Sequence, residues 1–265
     1  MDLGLEDKVA IVTGASKGIG KAIALELAQE GCHVVLCARG EEGLQAAVRE
    51  VERVGNASGI AADVTKPSEV EKLVEEAVVS FGKVDILVNN AGGIGRPASF
   101  EELSDEEWLE VLDLNVLSAV RLSRAVLPYM RGQGWGRIIN IASESGIQPD
   151  SFMPHYNASK AALINFTKSL SKAYGEEDIM INAVSPAFVM TPLVEGMLAE
   201  EAEKRDISAE EAETAFIVEN RPNIVVRRAG TPEETAAVVA FLASERASFI
   251  TGSNYRVDGG SVAST

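Results

Sequence analysis

The segment HYNASK at residues 155–160 holds a tyrosine and a lysine at helical spacing. In water a tyrosine hydroxyl has a pKa near ~10, so at neutral pH it is a poor acid and a poor base. Tyr156 and Lys160 are four residues apart and share one face of a helix. A nearby ammonium stabilises a phenolate and lowers the pKa of the tyrosine. Such a tyrosine can give a proton to a carbonyl oxygen or take one from an alcohol, although the same pair is also common on ordinary helices.

The segment TGASKGIG at residues 13–20 has the composition of a phosphate-binding turn. It follows an apolar stretch at 9–12 and runs into a helical pattern that begins at Gly18. Glycines in such a loop allow a tight turn and let backbone N–H groups approach a pyrophosphate, and the helix N-terminus adds positive potential. The spacing is Gly-x3-Gly-x-Gly and differs from the common Gly-x-Gly-x-x-Gly fingerprint. Loop glycines are often turn residues only, but this position between a strand and a helix favours cofactor binding.

The elements that must position these residues alternate between short apolar strands and longer amphipathic helices. Strands that are apolar on both faces indicate a parallel sheet covered by helices on both sides, with ligands at the carboxyl ends of the strands. Capping boxes at Ser104 with Glu107 and at Thr231 with Glu234 open two of the helices. The predicted strands are 9–12, 33–38, 58–61, 84–88, 137–141, 179–184 and 255–257, and the predicted helices are 18–30, 41–54, 67–81, 104–130, 154–174 and 231–243.

The stretch from residue 192 to residue 228 interrupts this alternation. It is charged and helical in pattern and contains no strand signal. It is either an exposed helical excursion or a lid over the substrate, because excursions of this length are often functional.

Composition limits the classes of function. The 265 residues, 46% hydrophobic and 24% charged, suit one globular α/β domain over residues 1–265. The formal net charge of −16 argues against a nucleic-acid partner and against an anionic membrane surface. No signal peptide and no apolar run of membrane-spanning length is expected, so the sequence predicts a cytoplasmic protein.

Cysteine and histidine usage predicts a reduced protein without a metal site. Cys32 and Cys37 would point to opposite faces if they shared a strand, so they could not form a disulfide bond. The two histidines are not part of any Cys, His and carboxylate cluster at ligand spacing. His155, next to Tyr156, is assigned no role.

Several motifs occur in a fixed order along the chain. After TGASKGIG come the residues NNAG at 89–92, Asn115, Ser143, the Tyr156-x-x-x-Lys160 pair, Pro186 with Thr191, and VDGG at 257–260. This collinear set resembles the short-chain dehydrogenase/reductase family, in a branch like the 3-oxoacyl reductases and tropinone reductases. The resemblance covers essentially the whole chain. It implies a three-layer, doubly wound Rossmann-like fold with a seven-stranded parallel sheet, assembled as a homotetramer.

The resemblance implies four catalytic residues. Tyr156 is the acid or base, and Lys160 tunes it and grips the nicotinamide ribose. Ser143, rather than its neighbour Ser145, hydrogen-bonds the substrate oxygen. Asn115 kinks its helix and holds a water that relays protons to the lysine.

The resemblance also implies a set of residues around a nicotinamide dinucleotide. Asp63 and Val64 frame the adenine, while Pro186, Val189 and Thr191 flank the nicotinamide and its diphosphate. Ala187 stands where the family usually has glycine, and it would be strained if the backbone needed a positive φ. The full set of cofactor-binding residues is Gly14, Ser16, Lys17, Gly18, Ile19, Gly20, Arg39, Asp63, Val64, Asn90, Ala91, Gly92, Tyr156, Lys160, Pro186, Val189 and Thr191.

The end of the second strand bears on the choice between NADP(H) and NAD(H). An acidic residue there would accept hydrogen bonds from the ribose 2′-hydroxyl, but this chain has Arg39, and Lys17 adds a second cation. NADP(H) is therefore the preferred cofactor. NAD(H) stays possible, because Glu41 or Glu42 could reach a ribose hydroxyl.

The expected function is hydride transfer between NADP(H) and a small ketone or secondary alcohol. Reduction of 3-oxoacyl groups on acyl carrier protein is an alternative. It is disfavoured because Gly134 and Glu177 occupy the places of the docking arginines in such reductases and because the chain is acidic. An alternative of another class is a cofactor-binding sensor or scaffold without turnover. The complete catalytic set favours an enzyme.

Overall fold

The computed structural model describes residues 2–263, which form a seven-stranded sheet with helices on both faces. Every residue of the first, fourth, fifth and sixth strands is buried. Strands buried on both faces need continuous apolar runs, which is why the sequence pattern indicated a parallel sheet. The strands are β1 (Val9–Thr13), β2 (His33–Ala38), β3 (Asn56–Ala61), β4 (Ile86–Asn89), β5 (Gly136–Ile141), β6 (Ile179–Pro186) and β7 (Asn254–Val257).

The strands are all parallel and lie in the order β3-β2-β1-β4-β5-β6-β7. The predicted Rossmann-like, doubly wound sheet is therefore confirmed. The strand order reverses at the neighbours β1 and β4. Open α/β sheets bind ligands at the carboxyl ends of the strands that flank such a reversal.

Helices cover the two faces of the sheet in separate apolar layers. Ala10 and Val12 of β1 join the apolar cluster that contains the first, second and ninth helices, whereas Ile11 joins the cluster on the opposite face. This alternation follows from the two-residue period of a strand. The helices are α1 (Gly18–Gln29), α2 (Glu41–Val51), α3 (Pro67–Phe81), α4 (Asp105–Leu112), α5 (Ser118–Gln133), α6 (Pro154–Tyr174), α7 (Pro192–Arg205), α8 (Ala209–Asn220) and α9 (Pro232–Ala243).

The single helix predicted over residues 104–130 is wrong in one respect, because a π-helical turn at Asp113–Leu117 divides it into α4 and α5. The capping box predicted at Ser104 and Glu107 is present at the start of α4. A π-turn inside an α-helix is rare and often lies at a functional site. Here it brings Asn115 towards the carboxyl end of β4.

The stretch predicted as a helical excursion contains α7 and α8. Thr191 and Ser208 cap these helices through their hydroxyl groups. The guanidinium of Arg205 on α7 contacts both carboxylate oxygens of Glu219 on α8 at 2.9 Å and ties the two helices together. Over residues 2–263, no helix has the length and apolarity that a bilayer crossing requires.

Candidate active site

Ser143 and Tyr156 meet beyond the carboxyl end of β5. Ser143 lies two residues after β5 ends at Ile141, and Tyr156 lies in the first turn of α6, which begins at Pro154. The Ser143 hydroxyl hydrogen-bonds with the Tyr156 hydroxyl. It also accepts a hydrogen bond from the backbone N–H of Ser145 at 3.2 Å. Two hydroxyls therefore converge at one point, as a carbonyl oxygen in need of a proton requires.

Lys160 lies one helical turn after Tyr156 and is buried. Its Nζ is 5.7 Å from the centre of the Tyr156 ring and donates a hydrogen bond to the carbonyl oxygen of Ile141 at 2.8 Å. Burial lowers the pKa of Lys160 to about 8, because the charged form loses hydration. The ammonium is thus held at the end of β5, next to the tyrosine.

The expected lowering of the Tyr156 pKa does not occur in the protein alone. Burial raises the pKa of Tyr156, and the Glu144 carboxylate raises it further. The hydrogen bond with Ser143 and the charge of Arg221 act in the opposite direction. Desolvation of the phenolate therefore outweighs the groups that stabilise it.

Asn115 links the π-helical turn to the loop after β4. Its Oδ1 accepts a hydrogen bond from the backbone N–H of Gly93 at 2.9 Å, and its Nδ2 donates to the carbonyl oxygen of Gly93 at 2.9 Å. The same Nδ2 donates to the hydroxyl of Ser159, next to Lys160, at 2.9 Å. Asn115 therefore fixes the loop after β4 against α6.

Gly92 lies where this loop passes Lys160. A Cβ at Gly92 would be 2.9 Å from Oδ1 of Asn115 and 3.4 Å from Nζ of Lys160. Any side chain larger than hydrogen would fill the space beside the lysine. The glycine keeps open the connection between the catalytic residues and the groove over the sheet.

The glycine loop after β1 is held by the loop after β4. Gly14 has a φ of +64°, and a Cβ there would be 2.9 Å from Nδ2 of Asn90 and 3.0 Å from Cα of Ala91. Asn90 donates hydrogen bonds from Nδ2 to the carbonyl oxygens of Thr13 at 2.8 Å and Gly14 at 3.3 Å. Thr13 returns this contact, since its hydroxyl accepts from the backbone N–H groups of Asn90 and Ala91. Thr13 has no place in the predicted site, although it closes the groove.

Two adjoining cavities of about 270 and 190 Å³ form a groove across the carboxyl ends of the strands. Both are lined by Gly14, Lys17, Ala91 and Gly92, so they form one continuous groove. The residues predicted to bind cofactor that line it are Gly14, Ser16, Lys17, Gly18, Ile19, Gly20, Arg39, Val64, Asn90, Ala91, Gly92 and Thr191. Cys37, Ala38, Gly40, Ala62, Leu114, Pro192 and Leu193 line it as well and were not predicted.

Besides Tyr156 and Lys160, three predicted cofactor residues do not line this groove. The carboxylate of Asp63 accepts hydrogen bonds from the backbone N–H of Thr65 at 3.0 Å and from its hydroxyl at 2.7 Å. Pro186 ends β6, and Val189 pairs with Gly230 and lines a separate cavity of about 250 Å³. These three residues shape the surrounding loops instead of the groove wall.

Arg39 and Lys17 lie on the same part of the groove and are both exposed. Glu41, the possible acceptor of a ribose hydroxyl, accepts a hydrogen bond from Nε2 of Gln45 at 2.9 Å. It does not line the groove. This end of the groove therefore presents positive charge.

Two smaller expectations have clear outcomes. Ala187 is not among the non-glycine residues with positive φ in the described part of the chain. The backbone strain considered for this alanine therefore does not occur. Its backbone N–H donates to the carbonyl oxygen of Val257 at 3.2 Å. His155 is fully buried against Trp108, with ring centres 6.0 Å apart, and lines neither cavity of the groove.

A charged cluster next to Ser143 was not predicted. Arg221, at the end of α8, forms an ion pair with Asp150 at 3.0 Å and faces the buried Glu144. Glu144 follows Ser143 directly, so its position in the sequence could have indicated that it lies at the site. Arg221 gave none, because it is 71 residues away from Asp150 in the chain.

Comparisons with known proteins agree with this geometry. The sequence profile described as short chain dehydrogenase matches residues 8–202. The chain belongs to the short-chain dehydrogenase family. The predicted family is thus confirmed, and as a short-chain dehydrogenase the protein is an oxidoreductase that acts on carbonyl or alcohol groups.

Individual members of the short-chain dehydrogenase family are similar over almost their whole length. An uncharacterized oxidoreductase, YvaG of Bacillus subtilis, is 38% identical over 100% of this chain and 99% of its own. The 3-oxoacyl-[acyl-carrier-protein] reductase of Vibrio cholerae is 39% identical over 97% of this chain and 98% of its own. The structure of L-sorbose reductase from Gluconobacter frateurii, complexed with NADPH and L-sorbose, superposes with a TM-score of 0.95 at 39% identity and covers 100% of both chains.

Proposed function

We propose that this short-chain dehydrogenase transfers hydride between NADP(H) and a small ketone or secondary alcohol. The observation that carries the proposal is the convergence of the Ser143 and Tyr156 hydroxyls beside buried Lys160 at the end of a groove with two cations. Such a convergence suits proton transfer to or from one oxygen atom.

The groove fits a dinucleotide phosphate. Gly14 and Gly18 have positive φ values of +64° and +57°, and both line the groove at the start of α1. Backbone N–H groups at a helix N-terminus bind phosphate, and glycine lets the backbone approach it. Arg39 and Lys17 would hold a 2′-phosphate on the adenosine ribose. When bound, the nicotinamide supplies or accepts the hydride.

The contacts of the candidate catalytic residues support the roles that we propose for them. In reduction, the Tyr156 hydroxyl would give its proton to the carbonyl oxygen, and in oxidation the deprotonated tyrosine would take the proton from the alcohol. Ser143 orients the oxygen through a hydrogen bond. Lys160, whose Nζ lies 5.7 Å from the centre of the Tyr156 ring, would stabilise the phenolate while the proton is transferred. Asn115 holds Gly93 and Ser159 so that Lys160 keeps its place.

Small polar ketones, including ketoses, are the first substrates to test. The L-sorbose reductase covers the entire chain, helices α7 and α8 included. Carrier-bound 3-oxoacyl groups are the alternative, supported by relatives at similar identity. The alternative is disfavoured because Glu177 is paired with Arg131 near the expected docking place and the chain carries a net charge of −16.

Four further features belong to the proposal. Residues 1–265 form one domain, and α7 with α8 acts as a lid over the substrate. The protein works as a homotetramer, as the family resemblance implies, and it works in the cytoplasm, as the cysteine usage predicts.

The proposal is tested by titrating the purified protein with NADPH and separately with NADH, followed by nicotinamide fluorescence, and then by screening ketones for reduction. We expect tighter binding of NADPH and turnover of at least one small ketone. Tighter binding of NADH would overturn the cofactor assignment. Tight NADPH binding without turnover of ketone, alcohol or 3-oxoacyl substrates would favour a cofactor-binding sensor.

A further inference from the structure

Arg221 connects the helices α7 and α8 to the loop that carries Ser143. It directly follows Asn220, the last residue of α8, and its side chain is only 15% exposed. Its NH1 and NH2 groups donate to the two carboxylate oxygens of Asp150 at 3.2 and 3.0 Å. Asp150 lies between Ser143 and Tyr156 in the sequence. Two-point contacts of this kind fix orientation as well as distance.

Asp150 also contacts α6, the helix that carries Tyr156. Its backbone carbonyl oxygen accepts a hydrogen bond from Nδ2 of Asn157 at 2.6 Å. Asn157 is buried and follows Tyr156 directly. A continuous set of polar contacts therefore runs from the end of α8 to the residue next to the tyrosine.

Glu144 lies on the other side of Arg221. The residue is 7% exposed and follows Ser143 directly. Its Oε1 is 3.9 Å from Nε of Arg221, its carboxylate hydrogen-bonds with Ser261, and its Oε2 has no hydrogen-bond partner in the described chain. A buried carboxylate with an unsatisfied oxygen is costly unless a positive charge faces it. Arg221 provides that charge.

We propose that Arg221 is a positioning residue for the reaction, which ties α8 to the Ser143 loop through Asp150 and places a positive charge against Glu144 beside Tyr156. The proposal rests on the proposed function, because it assigns Tyr156 the proton transfer. Docking of α7 and α8 is thereby coupled to the chemistry of the tyrosine.

The charges around Tyr156 predict in which direction the pKa of Tyr156 changes when Arg221 or Glu144 is replaced. Lys160 lies on the same helix, Glu144 comes from the loop after β5, and Arg221 comes from α8. Burial raises the pKa of the Glu144 carboxyl, and the negative charges of Asp258 and Asp150 raise it further. Loss of Arg221 leaves Glu144 uncompensated, which destabilises the phenolate and raises the pKa of Tyr156. Loss of the Glu144 charge has the opposite effect.

The matched control is Arg205 on α7. Like Arg221 it contacts both oxygens of one carboxylate, but its partner Glu219 lies within the α7–α8 pair. Arg205→Met therefore removes a more exposed ion pair of the same two-point geometry, together with the Arg205–Glu201 pair, without touching the Ser143 loop.

The experiment compares wild type, Arg221→Met, Glu144→Gln and Arg205→Met. The first readout is the pH dependence of kcat/KM with the best ketone and NADPH. For Arg221→Met we expect about a tenfold loss of kcat/KM at neutral pH. The limb of the pH profile that reflects ionisation of Tyr156 should move by about one pH unit to higher pH. Glu144→Gln should move the limb to lower pH, and Arg205→Met should leave it unchanged. An unmoved limb in both Arg221→Met and Glu144→Gln would overturn the coupling.

The second readout needs no turnover. Hydrogen–deuterium exchange of residues 144–150 should become roughly tenfold faster in Arg221→Met and stay unchanged in Arg205→Met. Asp150→Asn removes the pair more gently and should give the same pattern, so a folding defect of Arg221→Met does not decide the outcome. Equal exchange in all variants would overturn the tie between α8 and the loop. If wild type reduces no substrate, the proposed function fails, and exchange alone decides whether Arg221 makes the tie.

Discussion

The ammonium of Lys160 lies 5.7 Å from the ring centre of Tyr156, yet its hydrogen bond goes to the carbonyl oxygen of Ile141, 2.8 Å away. The lysine is therefore fixed to the end of β5, and the phenol is left to Ser143. This arrangement separates two tasks. In the proposed reaction, the lysine holds a charge close to the reacting oxygen, and the tyrosine exchanges the proton.

The first prediction concerns the proton itself. Tyr156→Phe removes only the hydroxyl, so we expect turnover to fall by about 10³-fold while NADPH binding stays within a factor of about two. Steady-state kinetics and a fluorescence titration measure the two effects. Tyr174→Phe, the same change at the other end of α6, serves as the control and should leave turnover intact. Substantial turnover in Tyr156→Phe would show that another group supplies the proton.

The second prediction concerns the pH dependence of stability. The pKa of Lys160 is lowered from 10.5 to about 8, so the folded state releases the proton before the unfolded state does. The cost of the buried charge is complete below pH 8 and disappears as pH rises towards 10.5. Relative to Lys160→Met, wild type should gain about 2 kcal/mol of unfolding free energy between pH 8 and 9.5. Urea unfolding at several pH values measures this gain, and parallel pH profiles would mean that Lys160 is not desolvated.

The third prediction concerns cofactor choice. Arg39→Asp reverses the charge at the groove and should weaken NADPH binding at least about tenfold while improving NADH binding. Arg49→Asp makes the same charge change at an exposed site near the end of α2 that does not line the groove. Affinities for both cofactors are measured in each variant. If the two variants behave alike, general charge and not Arg39 governs the preference.

The fourth prediction concerns the glycine loop. Gly14→Ala places a Cβ 2.9 Å from Nδ2 of Asn90 at a φ of +64°, so both stability and NADPH affinity should fall, stability by about 1–2 kcal/mol. Gly132→Ala on α5 has open space around its Cβ and should stabilise the protein by about 0.5–1 kcal/mol. Thermal unfolding and NADPH titration distinguish them. Full NADPH affinity in Gly14→Ala would mean that the loop rearranges without cost.

Local signals in the sequence predicted most of the fold, and they also indicated the candidate catalytic set, which stays a prediction. The burial of β1 on both faces, the glycine loop and the Tyr156–Lys160 spacing all lie within short stretches of sequence. Element boundaries were less accurate where tertiary contacts override the pattern. β3 begins at Asn56, two residues before its predicted start, because this polar residue pairs with His33 at the sheet edge. β4 begins at Ile86 instead of Val84, and Asp85 just before it bonds to Val9 and Arg137 through its backbone while its side chain accepts from the backbone N–H of Val9.

Long-range partners could not be predicted. Nothing near Arg221 in the sequence indicates that it meets Asp150 and Glu144, since the pairing depends on how α8 packs. The hydroxyl of Thr13 meets the loop after β4 for the same reason. The pKa of Tyr156 was given the wrong direction because desolvation depends on the whole surroundings, whereas spacing reveals only the lysine.

The π-helical turn at Asp113–Leu117 makes the fold and the site separable. Such a turn contains one residue more than the α-helical turn it replaces, so loss of one residue there can be absorbed as regular helix. The sheet and its layers would persist, while Asn115 would no longer reach Gly93 and Ser159. A deletion of one residue in this turn is therefore expected to remove the Asn115 contacts selectively, without a change in the strand order.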